Sequence, residues 1–196
     1  MKQPFANLEK YDIVLASNSP RRKELLGQLG ITFSTRVLND IDESYPDDMP
    51  ACDVAEFISK KKADAYRKSM RDNELIITAD TIVVCDNSIL GKPSDTNDAR
   101  NMLRKLSGRT HHVITGVTIT TADQAISFSS TTEVSFASLT DSEIEYYVDN
   151  YKPMDKAGAY GIQEWIGCVA VTAMNGSYYN VMGLPVQRLY TELKKI

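Results

Sequence analysis

The sequence predicts an α/β fold built on a mixed sheet, and three observations carry that prediction. Strand-like and helix-like stretches interleave without the strict alternation that a wholly parallel sheet requires. Two runs, YDIVLA (11–16) and LIITADTIVV (75–84), are apolar, rich in β-branched residues and short enough to be buried strands. Between them, Val54, Phe57, Ile58, Ala65 and Tyr66 keep helical spacing from about Ala51 to Met70.

Composition sets the outer bounds. At 196 residues, with no repeat and no low-complexity linker, the chain is read as a single domain over 1–196, or two close lobes, with a sizeable core. A content of 42% hydrophobic and 24% charged residues excludes wholesale disorder. No apolar run approaches the ~20 residues of a membrane span, and MKQPFANLEK lacks a signal-peptide core. Cys52, Cys85 and Cys168 are few, odd in number and far apart, so free buried thiols and a cytoplasmic location are expected. A net charge of −4 argues against general nucleic-acid binding, whereas the local cluster Arg21, Arg22 and Lys23 suits a small anion.

The elements follow in order. YDIVLA leads into Ser-Asn-Ser-Pro, where Ser19 suits an N-cap and Pro20 the first helical position of a helix to about Leu29. Residues 39–50 form an acidic loop ahead of the 51–70 helix. LIITADTIVV turns through Asp86-Asn87 into a hairpin with SIL. Thr96 or Asn97 caps a helix closed by Ser107-Gly108. HVITGVTIT and AISFSSTTEVSFASL read as an antiparallel pair, and Thr140 with Glu143 forms a capping box. DKAGAYGIQ is a Gly-bearing loop, CVAVTAM a strand, Asn175-Gly176 a turn, and Pro185 starts the last helix.

Several residues invite chemistry. Arg21 and Arg22 occupy the first turn of a helix, the positive end, where cations are disfavoured. A bound anion would offset that repulsion, with the Ser17 and Ser19 hydroxyls and free amides as further donors. Plain capping with solvated arginines is the competing reading. Asp80 interrupts an apolar strand, so its carboxylate needs a cation, a metal, a donor network or a solvent-facing strand end. Glu43 is one of several carboxylates in the acidic loop, beside Asp40, Asp42, Asp47 and Asp48, and a solvated loop explains them all equally well. Lys61 and Lys62 both border the apolar stripe of the 51–70 helix, and spacing does not separate them. Lys92, in Gly91-Lys92-Pro93, is either exposed or a phosphate contact. His111 and His112 have no partners at zinc-ligand spacing. Met102, Met174 and Met182 read as core filler. P-loop and GxGxxG signatures are absent.

Taken together, these blocks resemble the Maf family of nucleoside triphosphate pyrophosphatases. The matching stretches are LASNSPRRKELL (15–26), IDE (41–43), KKADA (61–65), ITADTIVV (77–84), LGKP (90–93), ARNMLRKLSGRTHHVITGV (99–117), DKAGAYGIQ (155–163) and NGSYYNVMGLP (175–185). The resemblance implies a Maf/ITPase-like fold, a twisted mixed sheet flanked by helices with the substrate in a cleft between two lobes. It implies a hydrolase that uses a divalent cation, Mg2+ or Mn2+, and releases a nucleoside monophosphate and pyrophosphate, often as a homodimer. By resemblance the catalytic aspartate is Asp80, Glu43 and Asp80 serve the metal, and Ser17, Ser19, Arg21, Arg22, Lys62 and Lys92 bind phosphate.

Three further positions imply the base. The branch of the family that acts on dTTP and UTP carries arginine, threonine and glutamine where this chain has Arg21, Thr81 and Gln163. A neutral Gln163 amide suits the N3–H and carbonyl of thymine or uracil. The resemblance thus implies dTTP and UTP as substrates, no nucleic-acid or membrane partner, and a house-cleaning role in the nucleotide pool. Other triphosphate specificities, a nucleotide sensor and a regulatory interaction protein are the competing readings.

Overall fold

The computed structural model describes residues 5–196. Its strands are β1 (Asp12–Leu15), β2 (Ser34–Thr35), β3 (Glu74–Cys85), β4 (Ser88–Leu90), β5 (Thr110–Thr120), β6 (Ala125–Phe136) and β7 (Val171–Asn175). Its helices are α1 (Pro20–Gln28), α2 (Ala51–Arg67), α3 (Thr96–Leu106), α4 (Asp141–Tyr151), α5 (Trp165–Ala170), α6 (Tyr178–Met182) and α7 (Val186–Leu193). The strands form one mixed sheet in the order β2-β1-β3-β5-β6-β7, with β4 paired to β3. β1 runs parallel to β2 and β3, placing Ile13 opposite Leu75 and Leu15 opposite Ile77, while β3–β4 and β6–β7 are antiparallel. The α/β class with a mixed sheet is the class observed. Among the described residues no helix is long and apolar enough to cross a membrane.

The chain divides into two compact units. The first takes residues through Asp80, Thr115–Ser130 and Gly183–Ile196; the second takes Thr81–Ile114 and Thr131–Met182. The first unit's core is built on Leu15, Leu25, Leu26, Val54, Ile58, Tyr66, Leu75, Ile76, Ile77 and Leu189, all nearly or wholly inaccessible. Here α2 lies unusually close to β5. A Cβ on Gly116 would stand 2.3 Å from the Ala55 backbone, so only glycine permits the approach. Buried hydroxyls hold the contact: Ser59 Oγ meets Thr118 Oγ1 at 2.8 Å, and Thr78 Oγ1 donates to the Ser59 carbonyl at 2.8 Å.

The second unit packs α3 against α4 around Leu103, Leu106, Val134, Ile144, Val148 and Ile166. Asp86 and Asn87 both take positive φ, 48° and 60°, the conformation that a two-residue hairpin turn demands and that Asx residues tolerate. The Thr140–Glu143 capping box is present at the start of α4.

Five expectations need correction. α2 ends at Arg67 rather than Met70. The cap of α3 is Asp95, whose side chain accepts from Asp98 N at 2.8 Å, rather than the expected Thr96 or Asn97. CVAVTAM is not one strand: its first part belongs to α5, whose last carbonyl, on Ala170, accepts from Ala137 N at 2.7 Å. A short apolar run does not distinguish helix from strand, and tertiary pairing decided this one. Only Cys85 is a buried thiol, Cys52 and Cys168 being exposed, and Met174 is exposed on β7 rather than core filler.

A buried ion network closes one end of the first unit. Glu74 at the start of β3 is inaccessible, and Arg36 grips it with two hydrogen bonds of 2.9 and 3.0 Å. Arg71 adds its backbone N–H at 3.1 Å and Nε at 3.0 Å. Burial alone would raise the Glu74 pKa, but these donors outweigh it and hold the carboxyl below its usual range. A depressed folded-state pKa contributes stability above the unfolded value of about 4.3 that is lost as pH falls through the folded one. Glu74→Gln is therefore expected to cost about 2–3 kcal/mol at pH 7, below the ~3–5 of a fully buried pair because both arginines reach solvent. Urea unfolding should show that deficit shrinking once the pH drops below about 4.

Candidate active site

Where β1 ends, Ser17 to Pro20 turn the chain into α1. Ser19 caps the helix by accepting from Arg22 N at 3.4 Å, and Ser17 Oγ accepts from Ser19 N at 3.2 Å. The Arg22 side chain folds back over this turn. Its Nε donates to the Gly183 carbonyl at 2.8 Å and its Nη1 to the Ala79 carbonyl at 3.1 Å, with Ser17 Oγ at 3.5 Å. Burial pushes the Arg22 pKa below its usual value; Arg21 adds to that push, and the charges of Asp80 and Glu43 oppose it. A guanidinium keeps its charge through such a shift. Arg22 thus lies within the fields of Arg21, Glu43 and Asp80.

Asp80 finds its cation in Lys62. From α2, the Lys62 ammonium lies 2.8 Å from Asp80 Oδ1 and 3.1 Å from Glu43 Oε1. Lys62 and Asp80 are largely buried, with side chains 13% and 14% exposed, whereas Glu43 is half exposed at 51%. The two lysines that spacing left equivalent now separate. Lys61 turns to the acidic loop, donating to Asp42 Oδ2 at 2.8 Å and the Ser44 carbonyl at 2.7 Å. Glu43 also stands apart from its acidic neighbours, because the residues flanking it are tied to Lys61 while it faces Lys62.

The remaining candidates belong to the second unit. Thr81 is half-buried on β3, Lys92 is exposed after β4, and Gln163 is exposed in the loop 155–164. That loop contains side chains that sequence reasoning passed over. Lys156 is nearly inaccessible at 9% exposed, and its ammonium pairs with Glu164 at 3.1 Å and Asp155 at 2.7 Å. Tyr147, wholly buried on α4, donates to Glu164 and accepts from Gly161 N at 3.0 Å. Burial first, and the Glu164 carboxylate next, push its phenol pKa up, so it stays a donor. His111 Nε2 meets Tyr160 Oη at 2.8 Å. Burial lowers the His111 pKa to about 4, leaving it neutral at pH 7.

Among the described residues no group of three or more His, Cys, Asp or Glu side chains converges as a ready metal cage. The Glu43–Asp80 pair nonetheless fits a hard cation. Both carboxylates aim an oxygen at one cationic centre, and Mg2+ commonly takes one or two carboxylates and fills its other positions with phosphate oxygens and waters.

The Arg22 geometry generates a test. Its planar fork spans carbonyls on two separate segments, which a lysine ammonium does not reproduce. Two lost hydrogen bonds of about 1 kcal/mol each translate to roughly 4–8 °C in Tm for a chain of this size. Thermal unfolding of Arg22→Lys should show that loss, and a melting curve unchanged within 1–2 °C (about half a kcal/mol) would contradict the bracing role.

Residues 12–196 match the family model described as Maf-like protein. The chain is 62% identical over 190 residues to the dTTP/UTP pyrophosphatase of Phocaeicola vulgatus, covering 97% of this chain and 98% of that protein. It is 56% identical over 192 residues to the dTTP/UTP pyrophosphatase of Bacteroides thetaiotaomicron, covering 98% and 100%. A HAM1 protein from Coxiella burnetii superposes with a TM-score of 0.46 at 15% identity, over 95% of this chain and 100% of that one. The match to the family model over nearly the whole chain, together with these identities, establishes that the chain belongs to the Maf family.

Proposed function

We propose that the chain is a nucleoside triphosphate pyrophosphatase that converts dTTP and UTP to the monophosphate and pyrophosphate. The carrying observation is the Lys62 ammonium held between Asp80 and Glu43. Carboxylates gathered on one cation, beside an arginine-bearing helix start, suit a polyanion that brings its own counter-cation. The names of relatives at 56–62% identity support the same substrates.

The roles follow from the chemistry. A triphosphate carries about four negative charges, which Arg21, Arg22, Lys62 and Lys92 offset, with the Ser17 and Ser19 hydroxyls as further donors to phosphate. Asp80 accepts the proton of a water whose oxygen attacks the α-phosphorus; the bond to the bridging oxygen breaks and pyrophosphate carries that electron pair away. Glu43 and Asp80 hold Mg2+ or Mn2+, which when bound supplies neutralisation of the phosphate charge. Thr81, Gln163 and Arg21 select the base, the Gln163 amide pairing with the N3–H and a carbonyl of a pyrimidine. The whole of 1–196 works as one catalytic domain in the cytoplasm, in a nucleotide house-cleaning role. It acts as a homodimer, a reading supported by β7, the last strand of the sheet, around which Val169, Met174, Tyr178 and Tyr179 are exposed.

Three measurements test this. Asp80→Asn keeps shape and removes the base, so kcat should fall by about 10²–10⁴; a rate within tenfold of the parent means another group takes the proton. In a panel of triphosphates, dTTP and UTP should be turned over well ahead of ATP, GTP and 7-methyl-GTP, with monophosphate and pyrophosphate as the first products. Excess chelator should stop turnover and Mg2+ or Mn2+ restore it.

A further inference from the structure

The loop 155–164 is built under strain and tied down from several sides. Gly158 and Ala159 are consecutive residues at positive φ, 68° and 58°, and for alanine that conformation is costly. Such backbone persists only where its surroundings over-determine it. The surroundings here are specific. The Gly158 N–H donates to the Gly91 carbonyl at 3.0 Å, in the turn that carries Lys92. Tyr160 Oη is held by His111. The Glu164 carboxylate is gripped on one oxygen by Tyr147 and on the other by Lys156. Tyr147 Oη in turn accepts the buried Gly161 N–H. A Cβ on Gly161 would sit 2.8 Å from Glu164 Cδ and 3.0 Å from Lys156 Cε, so a side chain there would displace the Glu164–Lys156 pair.

Gln163 is the exposed residue in the midst of these ties. On one side Ile162 is buried at 9% exposed; on the other Glu164 is anchored twice. A glutamine amide reads a base edge only if its backbone is fixed, since its own torsions are free. We infer that Tyr147, Glu164 and Lys156 form a lock that holds loop 155–164 in its strained shape and are positioning residues for base selection through Gln163. This rests on the reading of Gln163 given under the proposed function. Nothing in the lock needs to touch substrate. Its loss should therefore weaken base discrimination while sparing the chemical step.

The experiment compares the full-length parent with Gln163→Ala, Tyr147→Phe, Glu164→Gln, Lys156→Arg and Lys156→Met. It measures kcat and KM for dTTP and GTP, and Tm for each variant. The ratio of kcat/KM for dTTP over GTP should fall about tenfold in Tyr147→Phe, Glu164→Gln and Lys156→Met. The fall should lie in the KM for dTTP, with its kcat within about threefold, because uniform binding is what is lost. Lys156→Arg should rescue, since it restores a cation to Glu164. Should Tyr147→Phe not fold, Glu164→Gln, which keeps volume, carries the same test. A parent without preference for dTTP, or a Gln163→Ala variant that keeps it, overturns the base-reading assignment and this inference with it. Loss of preference in Gln163→Ala but not in the folded Tyr147, Glu164 and Lys156→Met variants overturns the lock alone. An equal fall in kcat for both nucleotides at unchanged ratio also overturns it.

Discussion

A carboxylate placed in an apolar strand is the constraint around which the first unit is organised. Asp80 continues a run that is inaccessible from Leu75 through Ala79, and an unpaired charge there would cost several kcal/mol. Lys62 has to reach it, so α2 must lie close to the sheet. Gly116 makes room for that approach, and the Ser59, Thr78 and Thr118 hydroxyls hold it. The same helix then sets the acidic loop. Tyr66 Oη donates to the Arg36 carbonyl and accepts from Leu38 N, each at 2.9 Å, and Lys61 captures Asp42 and Ser44. Glu43, lying between the captured residues, is delivered to Lys62. One buried charge thus dictates a helix position, a glycine and the course of a loop.

The second unit solves a different problem, which is to hold irregular backbone in one shape. Loops are ordinarily the mobile and variable part of a fold. Loop 155–164 is instead tied to the core, because two buried side chains outside it, Tyr147 and His111, bond to it, and its own nearly buried Lys156 pairs with Glu164. Each would be costly to bury unpaired, so loop and core satisfy one another. His111 contributes as a neutral ring, edge-on to Phe136 and Tyr160 at centroid distances of 4.9 and 5.4 Å.

How much of this was legible depends on the range of the interaction. Local signals were read correctly: the Ser19 cap, the Asp86-Asn87 turn and the Thr140–Glu143 box all involve residues within a few positions of one another. The need of Asp80 for a partner was legible as a physical requirement, but its identity was not, since Lys61 and Lys62 differ only in which way α2 is rolled against the sheet. The split of CVAVTAM was hidden for the same reason, the deciding bond being between Ala137 and Ala170. Tyr147, Lys156 and Glu164 escaped notice because their meaning is relational; each alone is an ordinary helix or loop residue.

The two arginines at the positive end of α1 can now be given different physical accounts. Arg22 is compensated within the fold. Its guanidinium points back from the helix to the carbonyls of Ala79 and Gly183, whose partial negative charge, with the fields of Asp80 and Glu43, offsets the unfavourable end of the helix dipole. It therefore needs no substrate to be tolerated, and its task is to brace the Ser17–Ser19 turn. Arg21 lies close enough that its charge helps lower the Arg22 pKa. A polyanion at the helix start, as proposed, would relieve that repulsion for both residues at once. On the proposed phosphate-binding role, part of the binding energy for a triphosphate would come from a repulsion already present in the first turn of α1.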